Sequence, residues 1–211
     1  AQGSGLKAQG SGLKAQGSGL KAQGSGLKAQ GSGLKAQDQV RSETLSNDIE
    51  KPLLVSGRVW YIREDNIDTD MIFHNRYLSI TDLQEMGQYT FDNLKGYESF
   101  AKEAQKGDIV VVQKNFGSGS SRQQAVDCFK ALGISCILAE SYGAIYERNA
   151  INAAFPILTY DSLDKLELGT GDEIQVNFET GDVTSLKTGQ SIKANPFSEV
   201  QTEIYNNGGL F

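Results

Sequence analysis

Apolar positions along the chain fall into strand-like and helix-like patterns. Gly57-Arg58-Val59-Trp60-Tyr61-Ile62, within Val55 to Ile62, is rich in β-branched and aromatic residues and predicts a first strand. Ile109-Val110-Val111-Val112, introduced by Gly107-Asp108, is an unbroken β-branched run, the pattern of a strand buried on both faces. Ala125, Cys128, Phe129 and Leu132 then recur at i, i+3, i+4, i+7, which predicts a helix that Gly133 ends. Ile134 to Ala139 predicts a second buried strand and Tyr142 to Ala154 another helix. Pro156 stops that helix before the short strand Ile157 to Tyr160. Strand, glycine loop, helix and strand in this order make a βαβ unit, whose strands run parallel and whose ligands sit where strands end and helices begin.

The remaining segments read differently. Arg63 to Ile80 is dense in Asp and Asn and fits neither periodicity, and loops of that length in compact domains usually carry function. Thr81 to Gln105 is helical in pieces, interrupted by Gly87 and Gly96. Beyond Gly169, Asp172 to Phe178, the turn Glu179-Thr180-Gly181-Asp182 and Val183 to Leu186 predict a hairpin, followed by a helix from Ser198 to Tyr205 and a Gly208-Gly209 end. Residues 1–37 are five unchanged copies of Ala-Gln-Gly-Ser-Gly-Leu-Lys and the start of a sixth. One Leu and two Gly per seven residues cannot make a coiled-coil seam, so this stretch is expected to be a flexible linker or tag. Residues 38–55 are expected to continue it as a polar tail, and 56–211 to form the folded domain.

Charge narrows the partners. The repeat holds five Lys and no acid, leaving 15 basic against 26 acidic residues in the rest of the chain. An acidic body argues against nucleic acid or an anionic membrane surface, both of which need clustered Lys and Arg. No apolar run approaches the roughly 20 residues of a membrane span. Two cysteines, Cys128 and Cys136, suggest no disulfide framework, so the cytoplasm is the expected location.

Two segments carry candidate chemistry. Asn115-Phe116-Gly117-Ser118-Gly119-Ser120-Ser121-Arg122 opens a helix, so its backbone N–H groups and the positive helix end form an anion site. Arg122 can hold a carboxylate through two parallel hydrogen bonds, and a serine hydroxyl beside oriented donors can act as a proton acceptor. A glycine turn with a solvated Arg122 is the bland alternative. The dinucleotide and P-loop fingerprints both fail on spacing. In Asp65-Asn66-Ile67-Asp68-Thr69-Asp70 the acids alternate as in a calcium loop, but the required glycine and closing glutamate are missing, leaving an Asx-turn loop as the plain reading. A Ser120, His74, Asp70 hydrolase is formally possible, although no Gly-x-Ser-x-Gly elbow supports it. The lone cysteines read as core.

Five motifs in order, Gly57-Arg58-Val59-Trp60, Asn66-Ile67-Asp68-Thr69-Asp70, Asn75-Arg76-Tyr77-Leu78, Lys114-Asn115-Phe116-Gly117-x-Gly119-Ser120-Ser121-Arg122 and Ala139-Glu140-Ser141-Tyr142-Gly143-Ala144-Ile145-Tyr146-x-x-Asn149, resemble the small subunits of 3-isopropylmalate dehydratase, the stand-alone swivel domain of the aconitase superfamily. The resemblance covers nearly everything from Ser56 onward. It implies an α/β fold, a three-layer β/β/α swivelling domain with a parallel βαβ core and a C-terminal hairpin region. It also implies a half-enzyme, a hydro-lyase subunit active only with a large subunit that carries a 4Fe-4S cluster, this chain holding no metal of its own.

Carried over by position, Ser120 matches the family's catalytic base and Asp70 an active-site aspartate. Arg122 matches the arginine that grips a substrate carboxylate, with Ser121 supporting the loop. Tyr77, Leu78, Ser79 and Ile80 match the stretch that selects the substrate. Members that accept a third carboxylate often carry an arginine where Ser79 stands, and a neutral, partly apolar pocket disfavours an unpaired carboxylate there. The implied substrate is therefore isopropylmalate, in leucine biosynthesis. Homocitrate-type, dimethylmalate-type or mesaconate-type substrates are the enzymatic alternatives, and a non-catalytic anion-binding module is the alternative of another class.

Overall fold

The computed structural model describes residues 51–211, so the repeat and most of the polar tail lie outside the described residues. Seven strands form one curled sheet: β1 (Leu54–Tyr61), β2 (Ile109–Val111), β3 (Cys136–Ala139), β4 (Ile157–Thr159), β5 (Glu173–Asn177), β6 (Asp182–Ser185) and β7 (Ser191–Lys193), in the order β4-β3-β2-β1-β5-β6-β7. The strands from β1 to β4 pair in parallel, and those from β5 to β7 run antiparallel. β1 belongs to both halves. Leu54 to Arg58 pair with β5, and Val59 to Tyr61 pair with β2. The sheet curls far enough that Asn195, just beyond β7, donates its backbone N–H to the carbonyl of Thr159 in β4 at 2.8 Å.

Alternation along the parallel strands gives the layers. Val110, Val112, Ile137 and Ala139 face one core, shared with Phe91, Phe100, Phe116 and Phe129 and covered by helix α4 (Gln124–Leu132) and helix α5 (Ala144–Asn152), numbered after the short helices α1 (Thr69–Ile72), α2 (Leu83–Met86) and α3 (Phe100–Glu103). Ile109, Val111, Cys136 and Leu138 face the other core, against Ile174, Val176 and Val183 of the antiparallel half and Tyr205 of helix α6 (Glu199–Asn207). The result is the three-layer β/β/α arrangement expected from the motifs. Phe129 meets Phe91 edge-on at 5.3 Å and stacks on Phe155 at 6.2 Å, so the helix layer is pinned by interlocking rings rather than by aliphatic volume alone.

Sequence expectations and structure differ at the edges of elements. β1 starts one residue early and ends before Ile62, whose N–H still bonds to the carbonyl of Val111. The helix expected from Tyr142 starts at Ala144, because Tyr142 is held in an extended bridge to Phe116. Arg63 to Ile80 is not wholly irregular: Asp68 caps α1 by accepting the N–H groups of Asp70 and Met71, and a 3-10 turn spans Asn75–Tyr77. β7 follows a segment in which the alternation is too short to register.

A buried carboxylate fixes the two central strands. Asp108, 3% exposed, accepts from Arg58 Nη2 at 2.7 Å, Trp60 Nε1 at 2.8 Å and the Gln105 N–H at 2.8 Å. Burial is the largest single influence on this carboxyl and raises its pKa, but the Arg58, Gln105 and Trp60 bonds together outweigh it and hold the group below its ordinary value.

Candidate active site

Three loops leave the carboxyl ends of the parallel strands β1, β2 and β3 on the same rim, where ligands of open α/β sheets bind. They are laced together by backbone bridges. Asp68 pairs with Ser118 and Phe116 with Tyr142. Asn66 and Asn115, both at positive φ (56° each), lean across the gap, and Asn115 Nδ2 donates to Asn66 Oδ1 at 2.9 Å. Asn tolerates this backbone region better than other side-chain-bearing residues, which is why the loops can turn sharply there.

The glycine loop takes its shape from what lies beneath it. Gly117, at φ +76°, sits directly on the buried ring of Tyr146: a Cβ there would lie 2.2 Å from Cγ of that ring. Tyr146 in turn donates its hydroxyl to the carbonyl of Ala125, joining α5 to the start of α4. Gly119, at φ +96°, has ordinary space around it and is needed for conformation alone.

On this base the expected residues converge. Arg122 Nη1 donates to Asp70 Oδ1 at 2.7 Å and to the carbonyl of Phe73 at 3.0 Å. Thr69 Oγ1 donates to the carbonyl of Ser120 at 3.0 Å, and Asn149 Nδ2 donates to Ser121 Oγ at 3.1 Å. Ser120 and Ser121 are exposed, and Ser120 Oγ has no hydrogen-bond partner among the described residues. The N–H groups of Ser118 through Gln124 likewise have no acceptor among them, which leaves seven successive donors free in the loop that carries Ser120 and Arg122. The Arg122 bond is the main reason that the Asp70 carboxyl is held below its ordinary pKa. Burial is the next largest influence and pushes it up, and the Asn75 N–H and the nearby His74 add smaller downward pulls.

Of Tyr77, Leu78, Ser79 and Ile80, Leu78 is bonded to the start of α4, while Tyr77 and Ile80 pack against the core. Gln124 Nε2, at the start of α4, reaches the carbonyl of Leu78 at 3.4 Å. Leu78 and Ser79 are exposed, and the arginine next to them, Arg76, is engaged with Asp92 at 2.9 Å rather than aimed at the rim.

One expectation needs adjustment. Helix α4 begins at Gln124, with Gln123 as an N-cap that makes no side-chain bond. Ser120 therefore precedes the first helical turn, and the donors around it come from the loop backbone more than from the helix end. The calcium-like acids are each occupied by N–H donors, Asp65 by Lys114, Asp68 by α1 and Asp70 by Arg122 and Asn75, and no group of three or more His, Cys, Asp or Glu placed to hold a metal occurs among the described residues. The hydrolase arrangement is also not made: His74 Nδ1 accepts from the Arg76 N–H, and Nε2 lies 3.8 Å from Asp70 Oδ2 without a bond to Ser120. Sequence reasoning did not anticipate the bonding roles of Thr69, Asn149 and Gln124. Their types gave no signal, since each acts through a partner distant along the chain.

Fold and rim together define a class, the three-layer swivelling α/β domain with a polar face at the ends of its parallel strands. Residues 53–162 match the Aconitase C-terminal domain family. The chain is 42% identical to 3-isopropylmalate dehydratase small subunit 1 of Archaeoglobus fulgidus, over 73% of this chain and 92% of that protein. It is 40% identical to the isopropylmalate/citramalate isomerase small subunit of Methanocaldococcus jannaschii, over 74% and 91%. The crystal structure of 3-isopropylmalate dehydratase from the same organism superposes with a TM-score of 0.68 at 32% identity, covering 74% of this chain and 90% of that one. The chain belongs to the Aconitase C-terminal domain family, on the branch of the 3-isopropylmalate dehydratase small subunits.

Proposed function

We propose that this chain is the small subunit of a hydro-lyase that interconverts hydroxy diacids by removing and restoring water, with 3-isopropylmalate and 2-isopropylmalate as its substrates. The convergence of Asp70, Ser120 and Arg122 on one open rim is the observation that supports this reading most. A large subunit bearing a 4Fe-4S cluster completes the site. This chain's own thiols do not suit such a cluster, because Cys128 and Cys136 are fully buried in the two separate cores, and burial pushes Cys128 up to about 12 and Cys136 higher still. In the assembled enzyme the cluster would supply Lewis acidity to the departing hydroxyl.

The residues of this chain then divide the work. Arg122, fixed through Nη1 by Asp70 and Phe73, offers its remaining N–H groups to a substrate carboxylate. Ser120 Oγ takes the proton from the carbon next to that carboxylate, the C–H electron pair forms the double bond, and the C–O bond to the leaving hydroxyl breaks. Rehydration reverses these steps. Serine is a poor base in water, so the step depends on loop N–H donors and Arg122 favouring the alkoxide, in a site that assembly closes to solvent; each oriented donor contributes about 3 kcal/mol in such sites. The stretch Tyr77 to Ile80 carries no cation, which suits an alkyl group better than a third carboxylate.

The test is Ser120→Ala in a complex reconstituted anaerobically with candidate large subunits and assayed on isopropylmaleate, cis-homoaconitate, mesaconate and dimethylmaleate. Turnover should fall by about a thousandfold or more with assembly intact. Retained turnover would remove Ser120 from the chemistry, and activity confined to cis-homoaconitate would move the substrate to the tricarboxylate class.

A further inference from the structure

Behind the substrate-selecting stretch lies a group that the reaction as described does not use. Asp92 is one-fifth exposed, and its two oxygens are treated unequally. Oδ2 accepts from the Tyr77 hydroxyl at 2.5 Å and from Arg76 Nη2 at 2.9 Å, whereas Oδ1 is shielded from solvent with no hydrogen-bond partner among the described residues. An unpaired buried carboxylate oxygen is costly, so both donors converging on one atom is a feature that the local structure enforces. The residue before it shows how: Phe91 is fully buried at φ +62°, a backbone region that bulky side chains avoid, and its N–H is tied to the carbonyl of Ile72.

What Asp92 holds is the first residue of the selecting stretch. The Tyr77 ring stacks on Tyr89 at 4.0 Å, meets Phe73 edge-on at 5.9 Å and carries the Arg76 guanidinium 4.8 Å above it. The ring is thus fixed on its faces and edge, and its hydroxyl end is held by the bond to Asp92. The next residue along, Asn93, donates Nδ2 to the carbonyl of Asp70 at 3.2 Å. One short segment, Tyr89 to Asn93, therefore touches both the ion-paired aspartate of the rim and Tyr77, the first residue of the stretch expected to select the substrate.

We propose that Asp92 is a positioning residue that sets the stretch Tyr77 to Ile80 against the Asp70–Arg122 pair by anchoring the Tyr77 hydroxyl, and so tunes which alkyl group the site accepts. This rests on the functional reading above. A neutral amide oxygen can accept the same two donors, but it lacks the charge that strengthens both bonds, and its NH2 would take the shielded Oδ1 position, where no acceptor lies among the described residues.

The experiment compares Asp92→Asn, Asp92→Glu and Tyr77→Phe in the reconstituted complex, with isopropylmaleate and methylmaleate as substrates. Asp92→Asn and Tyr77→Phe should each lower the preference in kcat/KM for isopropylmaleate over methylmaleate by about tenfold, chiefly through KM, and the double variant should do no more than either alone. Asp92→Glu should recover part of the preference. An unchanged preference, or an equal loss on both substrates, overturns the proposal. Amide exchange on the isolated full chain reads it without turnover: the N–H groups of Leu78 and Ile80, bonded to Asn75 and Tyr77, should exchange about tenfold faster in Asp92→Asn, while those of α4 stay unchanged. Equal exchange rates also overturn it, whatever the activity. A wild-type complex idle on both substrates would instead reject the hydro-lyase reading.

Discussion

Asp70 Oδ1 accepts two donors at once, Arg122 Nη1 at 2.7 Å and the Asn75 N–H at 3.0 Å, and this sharing fixes the charge state of the rim. A carboxyl whose folded pKa is depressed contributes its stabilisation above the unfolded value and loses it as pH falls through the folded one. Asp70 therefore stays ionised through the neutral and mildly acidic range and keeps Arg122 in place. Arg122→Ala should raise the Asp70 pKa toward its ordinary value, read from the carboxyl carbon shift in an NMR titration; an unmoved value would mean that Asn75 and His74 carry the effect. That these two residues belong together was legible from the ordered motifs. That they bond to each other was not, because they lie 52 residues apart and either type is equally common on a solvated surface.

At the scale of elements, the glycine loop separates two physical demands. Gly117→Ala would add both a left-handed backbone cost and a collision with Tyr146, whereas Gly119→Ala would add only the first. Gly117→Ala should lower stability by about 3 kcal/mol or more and Gly119→Ala by about 1 to 2 kcal/mol, measured from denaturant midpoints. Equal losses would show that the loop yields over Tyr146. The βαβ order and the hairpin were readable because each rests on local periodicity. The start of α4 was not, since Gln123 and Gln124 give no capping signal and the helix is set by burial of Ala125, Val126 and Phe129. The strained turn at Phe91 was hidden for a related reason: only its tertiary bond to Ile72 explains it.

For the whole molecule, the open rim is the decisive property. Donors that face solvent are matched by water until another surface replaces it, so the isolated chain should fold and yet turn nothing over. Adding the large subunit should slow amide exchange across Ser120 to Gln123 while leaving β2 and β3 unaffected. Turnover by the chain alone would contradict this, as would unprotected amides in an active complex.

The asparagine pair at positions 66 and 115 ties segments from two different strands into one mechanical unit. Exchange of either segment with that of a relative, to alter what the enzyme accepts, would leave the brace half made and the remaining turn unsupported. Loop transplants into this scaffold should succeed only when both segments travel from the same donor.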